Sequence, residues 1–199
     1  MIREAGVDLA GYVVVLPQAS AMVDTAIYYS RKQFTDLGVD SVFAVSGSLL
    51  VEDPGKAEEM VRNAGLIYIS GGSQERFMDT IRGTVLETAL HEAYRKGAMI
   101  AGTSAGAAVM SARMITGNEF KHPVYTGKFP TIEANNIELK PGLGFLSDII
   151  IDQHFVKRQR MNRLITVSLE NPGKTCIGID ESTALLVTPG SAEVVGKSQ

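Results

Sequence analysis

Short apolar runs that alternate with stretches of helical character constrain this chain more than any other feature. Gly11-Tyr12-Val13-Val14-Val15-Leu16 reads as a strand buried on both faces, stopped by Pro17. A helical stretch follows from about Ala21 to Leu37 and ends at Gly38. Ser41 to Val45 is a second strand, Pro54 to Ala64 a short helix closed by Gly65, and Leu66-Ile67-Tyr68-Ile69 a third strand. A long helical segment runs from about Arg76 to Lys96, broken near Gly83, with Arg95 and Lys96 where cations suit the helix dipole. Ala98 to Ala101 is the fourth strand. This order predicts an α/β fold with a mainly parallel sheet and helices on both faces. In such sheets ligands bind outside the carboxyl ends of the strands.

Two glycine-rich segments fall at those ends. One is Ser70-Gly71-Gly72-Ser73-Gln74, and the other is Gly102-Thr103-Ser104-Ala105-Gly106. The second, between a buried strand and small helix-forming residues, has the form of a nucleophile elbow. Gly102 and Gly106 let a sharp strand-to-helix turn close and lift the Ser104 hydroxyl clear of the sheet. The backbone N–H of Ala105 then points at negative charge developing on a substrate carbonyl. The reaction class this suggests is acyl transfer through a serine.

Composition narrows the alternatives. The 199 residues carry a net charge of -3, which leaves no electrostatic footprint for nucleic acid, and they suit one globular domain. No apolar stretch is long enough to span a bilayer. Met1-Ile2-Arg3-Glu4-Ala5-Gly6-Val7-Asp8 carries acids and no apolar segment, so it is not a signal peptide as written, and the default compartment is the cytoplasm. The single Cys176, in a strand-like run, excludes an internal disulfide and reads as a small buried hydrophobe. No metal or cofactor site is indicated.

A serine nucleophile needs a base within reach, itself oriented by a third group. His91 lies in mid-helix and His122 in the irregular stretch 113–148, whereas His154 follows the apolar strand Ile149-Ile150-Ile151. His154 is therefore the favoured base. Asp180 and Glu181 follow another strand, Cys176 to Ile179, and either could orient the imidazole. A helix from about Val156 to Leu169 carries Arg158, Arg160 and Arg163 and ends at Asn171-Pro172-Gly173. On it Arg160 and Arg163 share a face while Arg158 points elsewhere. Ala184 to Val187 is a further strand. The chain order serine, histidine, acid differs from that of α/β-hydrolases and disfavours an ordinary esterase.

Taken together, Ser70-Gly71-Gly72-x-Gln74, Gly102 to Met110, Asp152-Gln153-His154-Phe155 with Arg158-x-Arg160-Met161-x-Arg163-Leu164, and Gly178-Ile179-Asp180-Glu181 resemble the cyanophycinases. More distantly, the chain is similar to the aspartyl dipeptidases of the same serine peptidase family. The resemblance spans about residues 11 to 196. It implies a flavodoxin-like, three-layer fold of the class I glutamine amidotransferase type. It also implies Ser104 as nucleophile, His154 as base, Glu181 as the third member and a homodimer. The implied reaction is hydrolysis of cyanophycin, a polyaspartate bearing arginine on each side-chain carboxylate, to β-Asp-Arg dipeptides.

The family's substrate-binding positions map onto Gln74, Asp152, Gln153, Arg158, Arg160 and Arg163. Arginine forks suit the substrate's carboxylates, and Asp152 could hold a cation or one of these arginines. Gly72 would supply an oxyanion donor beside that of Ala105. Two departures stand out. Ser73 replaces an Asp common in cyanophycinases, which opens the way to a related isopeptide. The chain also looks short at both ends, so a missing sheet strand or a partial chain is expected. An aspartyl dipeptidase and a catalytically silent binding protein on the same fold are the alternatives.

Overall fold

The computed structural model describes residue 5 and residues 11–198, which divide into two compact units, Met1–Ala107 and Ala108–Gln199. The reading of Met1 to Asp8 therefore lies, apart from Ala5, outside the described residues.

The first unit is built on four parallel strands: β1 (Val13–Leu16), β2 (Val42–Ala44), β3 (Leu66–Ile69) and β4 (Met99–Gly102), in the order β2-β1-β3-β4. Every residue of β1 and β3 is buried, as a parallel strand covered on both faces requires. Val13, Val15, Leu66 and Tyr68 pack with Phe34 of helix α1 (Val23–Thr35), with the Phe34 and Tyr68 rings edge to face at 5.3 Å.

The remaining helices begin where short polar side chains can cap them. The Asp53 carboxylate accepts from Lys56 N ahead of α3 (Pro54–Arg62), which follows the unforeseen short helix α2 (Gly47–Glu52). Ser73 caps α4 (Gln74–Ile81) and Thr84 caps α5 (Val85–Arg95). The break expected near Gly83 separates these two, Gly83 standing at φ +72°. A last, single turn, α6 (Ala105–Ala108), follows β4 directly.

The strand order changes direction at β1, and the loops leaving β1 and β3 meet there. Ser73 N and the Arg76 guanidinium both donate to the Ala19 carbonyl, each at 2.9 Å. Gly72, at φ +142°, lies so close to that carbonyl that a Cβ could not be accommodated. This is the switch-point crevice of an open parallel sheet.

The second unit contains three strand pairs. Residues 113–148, read from sequence as irregular, hold the antiparallel pair β5 (Arg113–Glu119) and β6 (Ile137–Pro141), with a register shift between Ile115 and Glu119. β7 (Ile149–Gln153) runs parallel to β8 (Thr175–Ile179), joined through helix α7 (Met161–Glu170). β9 (Thr183–Thr188) and β10 (Ser191–Gly196) form a terminal antiparallel hairpin. Ile115, Phe129, Ile137, Ile150, Leu164 and Val167 make the core, with half-buried Cys176 against it. Burial pushes the Cys176 thiol pKa up, in keeping with a packing role.

One expected boundary is corrected. The helix carrying the arginines begins at Met161, not near Val156. His154 and Gln159 both adopt left-handed backbone, at φ +50° and +52°, and the chain between them forms turns. Arg160 consequently stands at the helix N-cap position, ahead of the helical register that Arg163 belongs to.

Candidate active site

The elbow geometry follows from strand register. β3 and β4 pair with Ile69 opposite Gly102, so the residues two beyond each, Gly71 and Ser104, emerge side by side. A Cβ on Gly71 would stand 3.3 Å from that of Ser104. Ser104 itself adopts φ +53°, a conformation that costs a non-glycine residue of order 1 kcal/mol or more. The turn is enforced sterically. A Cβ on Gly102 would run into the Gly106 carbonyl, and one on Gly106 into the carbonyl of Ile69. Gly106 N donates to Thr103 O at 2.8 Å and Ala107 N to Ser104 O at 3.0 Å, which closes the turn into α6. Nothing larger than glycine at 102 and 106 lets the helix approach the sheet this closely.

Two neighbours of this loop have structural duties. Ser73, the departure from the usual Asp, accepts from Arg76 N at 3.2 Å. Asp would cap equally well, so the change removes a charge without removing the cap. Gln74, the first residue of α4, is buried.

In the second unit, Gln153 pairs with Ile179 across β7 and β8, so His154 and Asp180 leave the pair at the same level. His154 Nδ1 is bonded to Glu181 Oε1. If that nitrogen carries the proton, the lone pair of the neutral ring lies on Nε2. Asp180 takes a different partner: its Oδ1 accepts from the backbone N–H of Lys157 at 3.1 Å. Of the two carboxylates that sequence left open, Glu181 is thus the one bonded to the imidazole. The carboxylate of Asp180 instead fastens the turn that follows His154, a task sequence reasoning did not assign.

Gly178 was another such omission. Its hydrogen faces the Phe155 ring, and a Cβ there would collide with that ring. The signal was available, since a lone glycine inside a strand marks a close approach.

The arginines divide sharply. Arg158 is exposed, in the turns that precede the helix. Arg160 and Arg163 are buried at 5% and 3% exposure, and the cation held by Asp152, itself 1% exposed, is the chain's own. Arg163 grips Asp152 with two donors, its Nε lying 2.8 Å from Oδ2, and stacks at 4.4 Å on the Phe129 ring. Arg160 reaches Asp152 Oδ1 at 3.5 Å and donates to the Gln153 carbonyl. Burial, with Arg163 and Arg158 adding repulsion, lowers the Arg160 pKa, while Asp152 opposes the shift. Gln153 is buried beside them.

Among the described residues no group of three His, Cys, Asp or Glu could hold a metal ion, and no helix is long and apolar enough to cross a membrane.

A glycine-enforced serine turn on a parallel α/β sheet, and a histidine–carboxylate pair at the ends of two further parallel strands, define the class as flavodoxin-like with the parts of a serine hydrolase. The chain belongs to peptidase family S51, whose family model matches residues 6–195. It is 34% identical over 202 residues to the cyanophycinase of Synechococcus elongatus, covering 98% of this chain and 58% of that protein. It is 31% identical over 195 residues to the cyanophycinase of Trichormus variabilis, covering 94% of this chain and 61% of the relative. The chain therefore spans about three-fifths of the length of these relatives. A crystal structure of a peptidase from an acI-B1 Actinobacterium shares the fold, with a TM-score of 0.69 at 24% identity over 99% of this chain and 79% of that one.

Proposed function

We propose that this protein is a serine-type exopeptidase that hydrolyses cyanophycin to β-Asp-Arg dipeptides through an acyl-enzyme on Ser104. The observation that carries the chemistry is Ser104 at φ +53° in a turn that only glycine at 102 and 106 permits. In this reading His154 Nε2 takes the Ser104 proton as Oγ bonds to the scissile carbonyl carbon. The resulting oxyanion is stabilised by the N–H groups of Gly72 and Ala105. His154 then returns the proton to the leaving amine, and the C–N bond breaks. Water attacks the ester by the same route, leaving a carboxylic acid and the serine. Glu181 holds the ring tautomer and stabilises the imidazolium at each proton transfer.

The substrate assignment is supported by family membership and by relatives named cyanophycinases. Exposed Arg158 suits a substrate carboxylate, and the amides of Gln74 and Gln153, buried at 8% and 9% exposure, are of the type that suits its amides, while the more deeply buried Asp152, Arg160 and Arg163 support the site from behind. A homodimer in the cytoplasm completes the proposal, checked by light scattering and fractionation. Ser73 favours a second reading, an aspartyl dipeptidase of the same family, because the charge that would grip a substrate arginine is missing.

The test is a substrate panel of cyanophycin, β-Asp-Arg oligomers and Asp-X dipeptides. Dipeptide release from the polymer, lost in Ser104→Ala, is the expected result. Cleavage of Asp-X dipeptides alone would select the dipeptidase. Equal activity of wild type and Ser104→Ala would remove both.

A further inference from the structure

We propose that Arg160, backed by the Asp152–Arg163 pair, is a positioning residue for His154 and does not touch substrate. The inference rests on the reading of His154 as general base. It begins with the backbone: His154 sits at φ +50°, a conformation that a non-glycine residue keeps only where its surroundings impose it.

Arg160 supplies much of that constraint from both of its ends. Its guanidinium bonds the Gln153 carbonyl immediately before His154, and its backbone N–H donates to the Phe155 carbonyl just after, at 2.9 Å. Three further bonds complete the clamp. Arg158 N donates to His154 O at 2.9 Å, Phe155 N to Ile179 O at 3.2 Å, and Lys157 N to Asp180 Oδ1 at 3.1 Å.

The burial argues in the same direction. At 5% exposure Arg160 presents little surface to a polymer, its Nη1 is shared between Asp152 and the Gln153 carbonyl, and its Nε is buried inside the protein. Asp152 is in turn fixed by the two-donor grip of Arg163. The chain of contacts runs from Arg163 through Asp152 and Arg160 to the peptide that carries the imidazole.

Charge makes the residue testable. Two buried guanidinium groups share one carboxylate, so removing Arg160 leaves Asp152 and Arg163 as a balanced pair and the fold intact. The experiment compares the wild-type chain, Arg160→Gln and Arg160→Lys. The first readout is the low-field proton resonance of His154 Nδ1–H, assigned by its loss in Glu181→Gln. The second is kcat and KM on β-Asp-Arg oligomers.

Arg160→Gln is expected to shift or broaden the resonance and to lower kcat about 10- to 100-fold with KM within about twofold, by analogy with other residues that orient a functional imidazole. Arg160→Lys, which keeps one donor for the Gln153 carbonyl, is expected to recover part of both. A raised KM with kcat and resonance unchanged would overturn the proposal and make Arg160 a substrate ligand. An unmoved resonance with unmoved kinetics would overturn it too. Should no protein, wild type included, cleave the oligomers while the resonance still responds to Arg160, the positioning stands and the substrate assignment falls.

Discussion

Ser104 and His154 share an uncommon backbone state, φ +53° and +50°, the first two residues beyond the end of β4 and the second one residue beyond the end of β7. Left-handed backbone at a serine or histidine is strain, and strain that persists at strand ends is retained for what it aims. It makes a prediction about stability separate from activity. Ser104→Gly and Ser104→Ala should both lose hydrolysis by several orders of magnitude. In urea unfolding, however, the glycine variant should be the more stable of the two by up to about 1 kcal/mol. Glycine relieves roughly 1–2 kcal/mol of left-handed strain and loses about 0.5–1 in chain entropy. A second residue prediction concerns Glu181, half exposed beside His154. Glu181→Gln should lower kcat by about 10²- to 10⁴-fold at neutral pH, since an amide stabilises the wrong tautomer and no imidazolium. Asp152 behaves differently. Asp152→Ala strands two buried guanidinium groups and should reduce stability by roughly 3–5 kcal/mol in the same unfolding experiment.

Elements were legible where the local rules act alone. The β-branched run of β1, and Pro54 and Gly83 at helix boundaries, foretell strands and helices to within a residue or two. Of the three missed strands of the second unit, β5, β6 and β10, two show what local rules cannot see. β5 is interrupted by Gly117 and a register shift, and β10 is exposed along its whole length, so neither has the alternation that marks a half-buried strand. The late start of α7 has the same origin: nothing in the side chains of His154 or Gln159 announces a positive φ. The β5–β6 pair carries an electrostatic prediction. Burial acts to raise the Glu138 pKa, but donors on Asn118, Thr116 and Lys140 outweigh it and hold it below the usual 4.5. A depressed folded pKa stabilises above 4.5 and is lost as pH falls through the folded value. Glu138→Gln should therefore cost under about 1 kcal/mol at pH 7, and the difference should vanish in strongly acid solution when unfolding is followed by circular dichroism. At the elbow, Gly106→Ala should cost at least about 2 kcal/mol, because its Cβ meets the backbone of β3 and no side chain can yield.

At the scale of the whole chain, Ser104 belongs to the first compact unit, and His154 with Glu181 to the second. Motifs spaced across both units, in a chain matched by one family model over residues 6–195, are what proposed these residues from sequence. What the motifs left unread was local and three-dimensional. Strand and spacing rules alone did not separate Asp180 from Glu181, which only the family resemblance did, because both follow the same strand and the turn of the chain decides which reaches the imidazole. Nor did the motifs place Arg160 and Arg163 inside the protein, because a basic pattern at the start of a helix looks the same whether it faces solvent or a buried carboxylate. The central claim of the proposed function is that His154 activates the Ser104 hydroxyl. Intact-mass measurement of labelling by a fluorophosphonate tests it most directly. The account predicts one adduct per chain, mapped to Ser104, absent in Ser104→Ala and formed at least about 10²-fold more slowly in His154→Ala. An adduct at Ser104 that forms as fast without the imidazole would contradict it.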